Sequence, residues 1–307
     1  MNQNPIHPGE NKEINLQIAR LPTHTEIDIP IHVYRGLKDG PTLLISATIH
    51  GDEINGIEII RRMREEKSLT PVSGTVISIS IVNVFGFLQQ SRNLPDGRDL
   101  NRCFPGTSDG TLASLIAYNI MTKVIPLIDY GIDLHTGGIN RYNFPQVRCN
   151  LKNKASLNLA RVFSPPFIVD SKERDKSFRA EVSKLRIPQI VYEAGEAQRL
   201  DEFSIIEGIQ GIKRIMAHLE MTEDYPSSVQ PTWIKTSRWL RARYGGIFQS
   251  FVKPGERVAK KQVIYSITDP YGDFKYVVKA PEKGHIIAVN YQPVIHKGDA
   301  LLHLGIE

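Results

Sequence analysis

Residues 43–62 read LLISATIHGDEINGIEIIRR and decide the fold. The first part of this stretch is apolar and rich in branched side chains, which predicts a buried strand. The polar letters HGDE then interrupt the run, and Ile54, Ile57, Glu58 and Arg61 follow at helical spacing. The stretch therefore predicts a strand, a tight turn and a helix, the repeating unit of an α/β sheet.

The predicted turn carries two side chains that bind metals. His50 and Glu53 are three positions apart, so a chain that begins to coil brings both to one side, and Gly51 allows a sharp bend. Ligands of open α/β sheets bind outside the carboxyl ends of the strands. Taken alone, the same letters more often mark an exposed turn whose acidic residues complement a helix dipole.

A second strand also ends in a histidine, in YGIDLHTGG at residues 130–138. His135, His50 and Glu53 together form a set typical of catalytic zinc sites, which keep one coordination position open. These ligand types favour zinc, with manganese, iron and cobalt as alternatives. Asp133 shares a strand face with His135, so we expect it either to orient that ligand or to satisfy the strand end.

A third strand, PQIVY at residues 188–192, runs directly into an acidic segment. Amide hydrolysis needs a base for the attacking water and an acid for the leaving nitrogen. Glu193 is the first choice for both roles because it directly follows this strand, and Glu196 is the second. Either carboxylate also fits a structural role in a helix cap or a salt bridge.

The segment 84–110 is long, rich in glycine, proline and charged residues, and lacks periodicity. Loops of this length inside compact domains are usually functional or disordered, and its phenylalanines argue against disorder. Arg92, Arg98, Asn101 and Arg102 lie in it, and guanidinium groups suit bidentate binding of carboxylates. Solvated surface charge is the alternative interpretation.

Composition excludes several classes of protein. The 307 residues are 41% hydrophobic and 23% charged, which is typical of a globular chain with a large core. The net charge of +5 comes without a run of five like charges, so it suits anionic small molecules at least as well as polymers. Cys103 and Cys149 lack CxxC spacing, which argues against a disulfide framework.

The charge pattern and the absence of long apolar runs predict a cytoplasmic protein that binds neither membranes nor nucleic acids. Residues 1–13 have no apolar signal core, and no run of 18 apolar residues follows. Segments 14–20 and 27–33 predict an antiparallel hairpin. The polar, proline-containing segment 221–232 is interpreted as a linker, which divides the chain into domains 1–232 and 233–307. The second domain is predicted to be all β.

Four motifs in order give the chain a specific resemblance. HGDE with its helix, the run from Arg92 to Gly106 (RNLPDGRDLNRCFPG), DLHTGG and YEAGE resemble the succinylglutamate desuccinylase and aspartoacylase family. This family is similar to the zinc carboxypeptidases, and the resemblance spans roughly residues 40–220. It implies an α/β fold with a mixed central sheet flanked by helices.

The resemblance also implies roles for individual residues. It makes His50, Glu53 and His135 the ligands of one zinc ion per chain. Glu193 matches the catalytic acid/base, and Arg92 matches the group that polarises the scissile carbonyl. The matched carboxylate binders are Asn101 and Arg102, with Arg179 as a further substrate-binding candidate.

The C-terminal segment 245–305 resembles a lipoyl or biotinyl domain. Such a domain needs a modifiable lysine at a hairpin tip, where this chain has DPYGD at residues 269–273. A module that covers the active site or mediates assembly, including homo-oligomer assembly, is therefore expected instead of a swinging arm.

These observations predict a zinc-dependent hydrolase that cleaves the amide bond of a small N-acyl amino acid, or a related ester. A carboxypeptidase-like enzyme that trims acidic peptides is an alternative. The second alternative is a metal-free protein that binds carboxylates without catalysis.

Overall fold

The computed structural model describes residues 5–20 and 23–307. Residues 1–4 of the N-terminal segment and residues 21–22, between the two strands of the predicted hairpin, lie outside the described residues. No described helix is both long and apolar enough to cross a membrane.

Up to residue 218 the chain contains both strands and α-helices, and the elements of residues 219–307 are all strands. The strands of the first part are β1 (Asn11–Arg20), β2 (Glu26–Arg35), β3 (Lys38–Ala47), β4 (Ser73–Ile79), β5 (Tyr130–Gly137), β6 (Arg141–Cys149), β7 (Phe167–Asp170) and β8 (Gln189–Glu196). Its helices are α1 (Asn55–Glu65), α2 (Val84–Leu88), α3 (Leu112–Lys123), α4 (Lys154–Phe163), α5 (Phe178–Lys184) and α6 (Glu202–His218), with 3₁₀ turns at Leu100–Arg102 and Ile125–Leu127. The C-terminal strands are β9 (Thr232–Ile234), β10 (Thr236–Arg241), β11 (Gly246–Ser250), β12 (Arg257–Val258), β13 (Val263–Thr268), β14 (Lys275–Lys279), β15 (Gly284–Asn290), β16 (Val294–Ile295) and β17 (Ala300–Ile306).

The centre of the molecule is a mixed sheet, which confirms the predicted fold class. Strands β4, β3, β5 and β8 are parallel neighbours in that order. Strand β2 joins one side antiparallel to β4, and β6 joins the other side antiparallel to β8. Because four parallel strands end at one edge, residues far apart in sequence meet there.

Strand β3 shows why both faces of the sheet are covered. Leu43 and Ile45 point into a core that includes residues of α1, α4 and α6. Leu44, on the opposite face, belongs to a second core with residues of α3 and α5. Successive strand side chains alternate between faces, so an uninterrupted apolar run requires cover on both.

The sequence predicted that Gly51 allows the sharp bend after β3, but the bend lies at another residue. The left-handed residue is Thr48, with φ of 60°. Gly51 is required for a different reason, because a Cβ there would lie 1.9 Å from the carbonyl carbon of Gly86. The turn is therefore held against the middle of α2. Within the turn, the Glu53 N–H donates to the carbonyl of His50 at 3.1 Å.

The C-terminal strands form one small sheet of their own and also extend the large one. The small sheet has the order β14, β13, β11, β16. Strands β15, β17 and β10 continue the large sheet beyond β6, where Ala288 pairs with Asn143. Strand β9 crosses the predicted 232/233 boundary and pairs with β7, so the division into two domains stays a prediction.

Candidate metal centre and active site

The predicted site residues come from the ends of adjacent parallel strands. His50 follows β3, His135 lies near the end of β5, and Glu193 lies on β8. The register pairs Ala47 with Leu134 and His135 with Glu193. The sheet thus brings together three segments separated by more than 50 residues each.

His50, Glu53 and His135 converge on one point. One ligand atom from each lies within 4.8 Å of the others, and all three side chains are buried. The Nδ1 atom of His50 lies 2.7 Å from one carboxylate oxygen of Glu53, and Nδ1 of His135 lies 2.8 Å from the other. The Thr136 N–H donates to Glu53 at 3.1 Å and fixes the carboxylate.

Two further carboxylates face the outer nitrogens of the imidazoles. Asp133 Oδ2 lies 2.8 Å from Nε2 of His135, and its other oxygen accepts from Ser46 at 2.8 Å. Asp99 Oδ1 lies 3.4 Å from Nε2 of His50. A carboxylate behind a ligating imidazole fixes the ring and raises its basicity, which is the usual arrangement at metal sites.

The charge of this cluster fits a bound cation. Burial raises the pKa of Glu53, but the two imidazoles outweigh burial and hold this pKa well below its usual range. Burial lowers the pKa of His135, yet Asp133 and Glu53 raise it well above the ordinary value. The carboxylates therefore favour positive charge at the two imidazoles, and a divalent ion bound between the ligands would supply that positive charge. The nitrogen and oxygen donors fit zinc.

Glu193 lies in the same cavity, held by two neighbours on β6. Its Oε1 is 2.9 Å from a guanidinium nitrogen of Arg148, and its Oε2 accepts from the amide of Asn143 at 2.7 Å. Asn143 is 2% exposed. Glu196 has a different setting, because its carboxylate accepts the backbone N–H of Asn140 at 2.9 Å.

Arg92 reaches the metal-ligand cluster from the long loop. It donates to Asp99 at 2.9 Å and lies 3.4 Å from Glu53. Asp99 also accepts the Asn101 N–H at 2.9 Å and so begins the 3₁₀ turn. Arg98 turns away, since it pairs with Asp96 at 3.1 Å and its side chain is about half exposed.

The other predicted substrate-binding residues also line the cavity, but they differ in how many hydrogen bonds their side chains already make within the protein. The Asn101 side-chain oxygen accepts the Phe178 N–H at 2.9 Å, while Arg102 donates to the Asn101 carbonyl. Arg179 donates to the carbonyls of Arg148, Ser171 and Lys172. Its guanidinium therefore already holds the segments around the site together.

The cavity has a volume of about 830 Å³, and the C-terminal strands supply part of its wall. The wall residues from the C-terminal strands are Ser237, Arg238, Trp239, Arg241 and His303. Trp239 stacks on His303 with ring centroids 4.6 Å apart, and Arg141 lies over the Trp239 ring at 4.9 Å.

Sequence reasoning missed several of these residues. Asp99 lies within the motif run that contains Arg92 and Arg102, so its position was a usable signal. Asn143 and Arg148 carry no such signal, because nothing in β6 alone says which strand it will pair with. The arginine and tryptophan wall from the C-terminal strands also has no local motif.

Comparison with known proteins identifies the family. Residues 39–219 match the model of the succinylglutamate desuccinylase/aspartoacylase catalytic domain, which is more than half of the chain. The chain belongs to this family. The succinylglutamate desuccinylase/aspartoacylase family comprises deacylases and is similar in fold to the zinc carboxypeptidases.

Individual relatives agree with this assignment. N-alpha-acetyl-L-2,4-diaminobutyric acid deacetylase of Halomonas elongata is 26% identical over 290 residues, covering 89% of this chain and 84% of that protein. A succinylglutamate desuccinylase structure from Silicibacter sp. has a TM-score of 0.86 at 21% identity, with 100% and 99% of the chains covered. The ectoine utilization protein EutE (DoeB) of Ruegeria pomeroyi has a TM-score of 0.87 at 20% identity, with 99% and 98% covered. The two structures establish a shared fold.

Proposed function

We propose that this protein is a zinc-dependent hydrolase that cleaves the amide bond of a small N-acyl amino acid. The convergence of His50, Glu53 and His135 at the strand ends, with Glu193 in the same cavity, carries the proposal. The Halomonas elongata relative is a deacetylase of an N-acetylated amino acid, which supports this class of substrate. A zinc ion bound by the three ligands would polarise the scissile carbonyl and lower the pKa of water.

Glu193 is the proposed acid/base. It would accept a proton from the attacking water at a carboxylate oxygen and then donate that proton to the leaving nitrogen. Arg148 and Asn143 hold its two oxygens and so aim the carboxylate into the cavity.

Three residues of the long loop would bind and polarise the substrate. Arg92 would donate to the carbonyl oxygen as negative charge develops there. Among the described residues Arg102 forms no ion pair with a carboxylate, and with Asn101 it would bind the carboxylate of the amino acid. Arg179 stays a proposal as a substrate contact, supported by its place on the cavity wall.

A substrate panel with two matched variants tests the function. The zinc-loaded protein is assayed on N-acetyl, N-succinyl and N-formyl amino acids. We expect Glu193→Gln to lower kcat/KM by about 10² to 10⁴, because a general acid/base contributes that much. Glu196→Gln, which removes a charge from the same strand, should stay within about tenfold of wild type. A Glu193→Gln variant that keeps full turnover would contradict the assignment of the base.

Glutamyl peptides added to the panel, and a measurement of bound zinc, separate the two alternatives. Turnover of glutamyl peptides in preference to every N-acyl amino acid would favour a carboxypeptidase-like enzyme. If the protein binds no zinc when one equivalent is added, yet still binds carboxylates, it is a metal-free binding protein and not an enzyme.

A further inference from the structure

The metal ligands and the acid/base stand on different strands, so their spacing depends on how those strands are held together. The ligand turn, residues 48–54, follows β3, whereas Glu193 lies on β8, and β5 runs between them. The register between β5 and β8 is irregular between His135 and Gly137, directly beside Glu193. A misplacement of about 1 Å at a catalytic group can cost about 10² in rate. Strand pairing alone therefore leaves the position of Glu193 loosely defined.

Asn55, the first residue of α1, bridges the two parts of the site. It lies two residues after Glu53 and is 2% exposed. Its side-chain NH2 donates to the carbonyl of Ala194, the residue after Glu193, at 3.2 Å. Its side-chain oxygen accepts the N–H of Asp201 at 3.0 Å. One buried amide thus joins the end of the ligand turn to the chain that follows the acid/base.

Asp201 is itself firmly held at the far end of this bridge. Its carboxylate accepts the Ser204 N–H at 2.8 Å and so begins α6, and the hydroxyl of Tyr142 on β6 donates to it at 3.0 Å. The Gln198 N–H also donates to the carbonyl of Asp52 in the ligand turn at 2.8 Å. The chain after Glu193 is therefore bonded to the ligand turn, to α6 and to β6.

The backbone of β8 leaves room for the amide of Asn55. Gly195 has a φ of 78°, a conformation that favours glycine. A Cβ on Gly195 would lie 2.3 Å from the Nδ2 atom of Asn55. Any larger residue at this position would therefore push the amide away from Ala194.

We propose that Asn55 is a positioning residue that sets the distance between the metal ligands and Glu193. This inference rests on the proposed function, which makes Glu193 the acid/base. Asn55 is not one of the described residues that line the cavity, so its effect passes through β8. The proposed substrate-binding residues come from the long loop, a different segment from the two that Asn55 joins.

Asn55→Ala removes both hydrogen bonds, and kinetics on the substrate panel measure the result. We expect kcat to fall about 10- to 100-fold, because β8 can then move relative to the ligand turn. KM should change by less than about threefold, because the long loop that binds the substrate is untouched. Asn119→Ala is the matched control, since Asn119 is also buried and its side chain donates to the Leu115 carbonyl at 2.8 Å within α3. It should keep kcat within about threefold of wild type.

Gly195→Ala tests the same contact from the other side. The added methyl group would displace the Asn55 amide, so kcat should again fall about 10- to 100-fold. In the double variant with Asn55→Ala the two losses should not multiply, because both changes break one contact. A double variant whose loss in kcat equals the product of the single losses would overturn the shared role.

Crystal structures of the zinc-loaded variants provide a readout that does not depend on turnover. In Asn55→Ala the Glu193 carboxylate should move by about 0.5 Å or more relative to the three metal ligands, which is the tolerance of a productive site. If Asn55→Ala does not fold, Asn55→Asp takes its place, because it has the same shape, keeps the bond to Asp201 and loses the donor to Ala194.

A Glu193 carboxylate that keeps its place, or a kcat that falls no further than in Asn119→Ala, would overturn the proposal. Failure of the proposed function has a different signature, since Glu193→Gln would then keep full turnover. A displaced β8 in Asn55→Ala would still show in that case that Asn55 holds the two strands together.

Discussion

At the residue scale, each catalytic or metal-binding side chain of the proposed site contacts a second side chain that orients it. Asp133 and Asp99 face the outer nitrogens of the two histidines, while Arg148 and Asn143 hold Glu193. None of these four residues is a proposed metal ligand or acid/base. They determine how those groups are oriented, and variants can measure their contribution.

Asp133→Asn should weaken zinc binding by about 10- to 100-fold, because the imidazole of His135 loses the carboxylate that orients it. Competition with a chromophoric chelator measures the affinity directly. Asp129→Asn is the control, as Asp129 lies just before the same strand, is exposed, and accepts the Thr42 N–H. Unchanged zinc affinity in Asp133→Asn would show that Asp133 only satisfies the strand end.

At the element scale, the β3–turn–α1 unit carries the site. Its strand and helix periodicities are visible in the sequence, and the structure places β3 at Lys38–Ala47 and α1 at Asn55–Glu65. The contact of the turn with α2 is not visible, because it joins residues 35 positions apart through backbone atoms alone.

Gly51→Ala should lower the free energy of unfolding by about 3 kcal/mol, since the new methyl group would collide with the backbone of Gly86. Chemical denaturation of the metal-free protein measures this cost. Gly138→Ala provides the comparison, because a Cβ there meets nothing within 4 Å. That variant should remain within about 0.5 kcal/mol of wild type. Equal stability of the two variants would mean that the turn can move away from α2.

At the scale of the whole molecule, the C-terminal strands are part of the cavity. They extend the central sheet beyond β6 and carry Trp239, Arg241 and His303 to the cavity wall. This position agrees with the expectation of a module that covers the active site. The histidine in this wall also links stability to pH.

Burial, with help from Arg148 and Arg141, lowers the pKa of His303 to about 3. The unfolded chain, with a histidine pKa of about 6.5, therefore binds the proton more readily than the folded one. Stability from this residue is full above pH 6.5 and falls as the pH drops toward 3, by about 1.4 kcal/mol at pH 5.5.

His303→Gln should remove about 1.4 kcal/mol from the difference in unfolding free energy between pH 7.5 and 5.5. Urea denaturation at both pH values gives this difference. His296→Gln, which changes an exposed histidine of the same region, should leave it unaltered. A pH dependence that is the same in His303→Gln and wild type would mean that His303 accepts a proton in the folded state.

The sequence by itself determined the fold class, the family and the set of candidate ligands. It did so because a parallel strand places the residue after its carboxyl end at a shared edge, so local patterns at His50, His135 and Glu193 were enough. Only the tertiary structure decided which groups hold them and what encloses them. Arg148 and Asn143 meet Glu193 through pairing between β6 and β8, and Arg141 meets Trp239 through pairing of β6 with the C-terminal strands. Which strands pair with β6 is decided by the packing of the whole chain, so no short segment of the sequence predicts it.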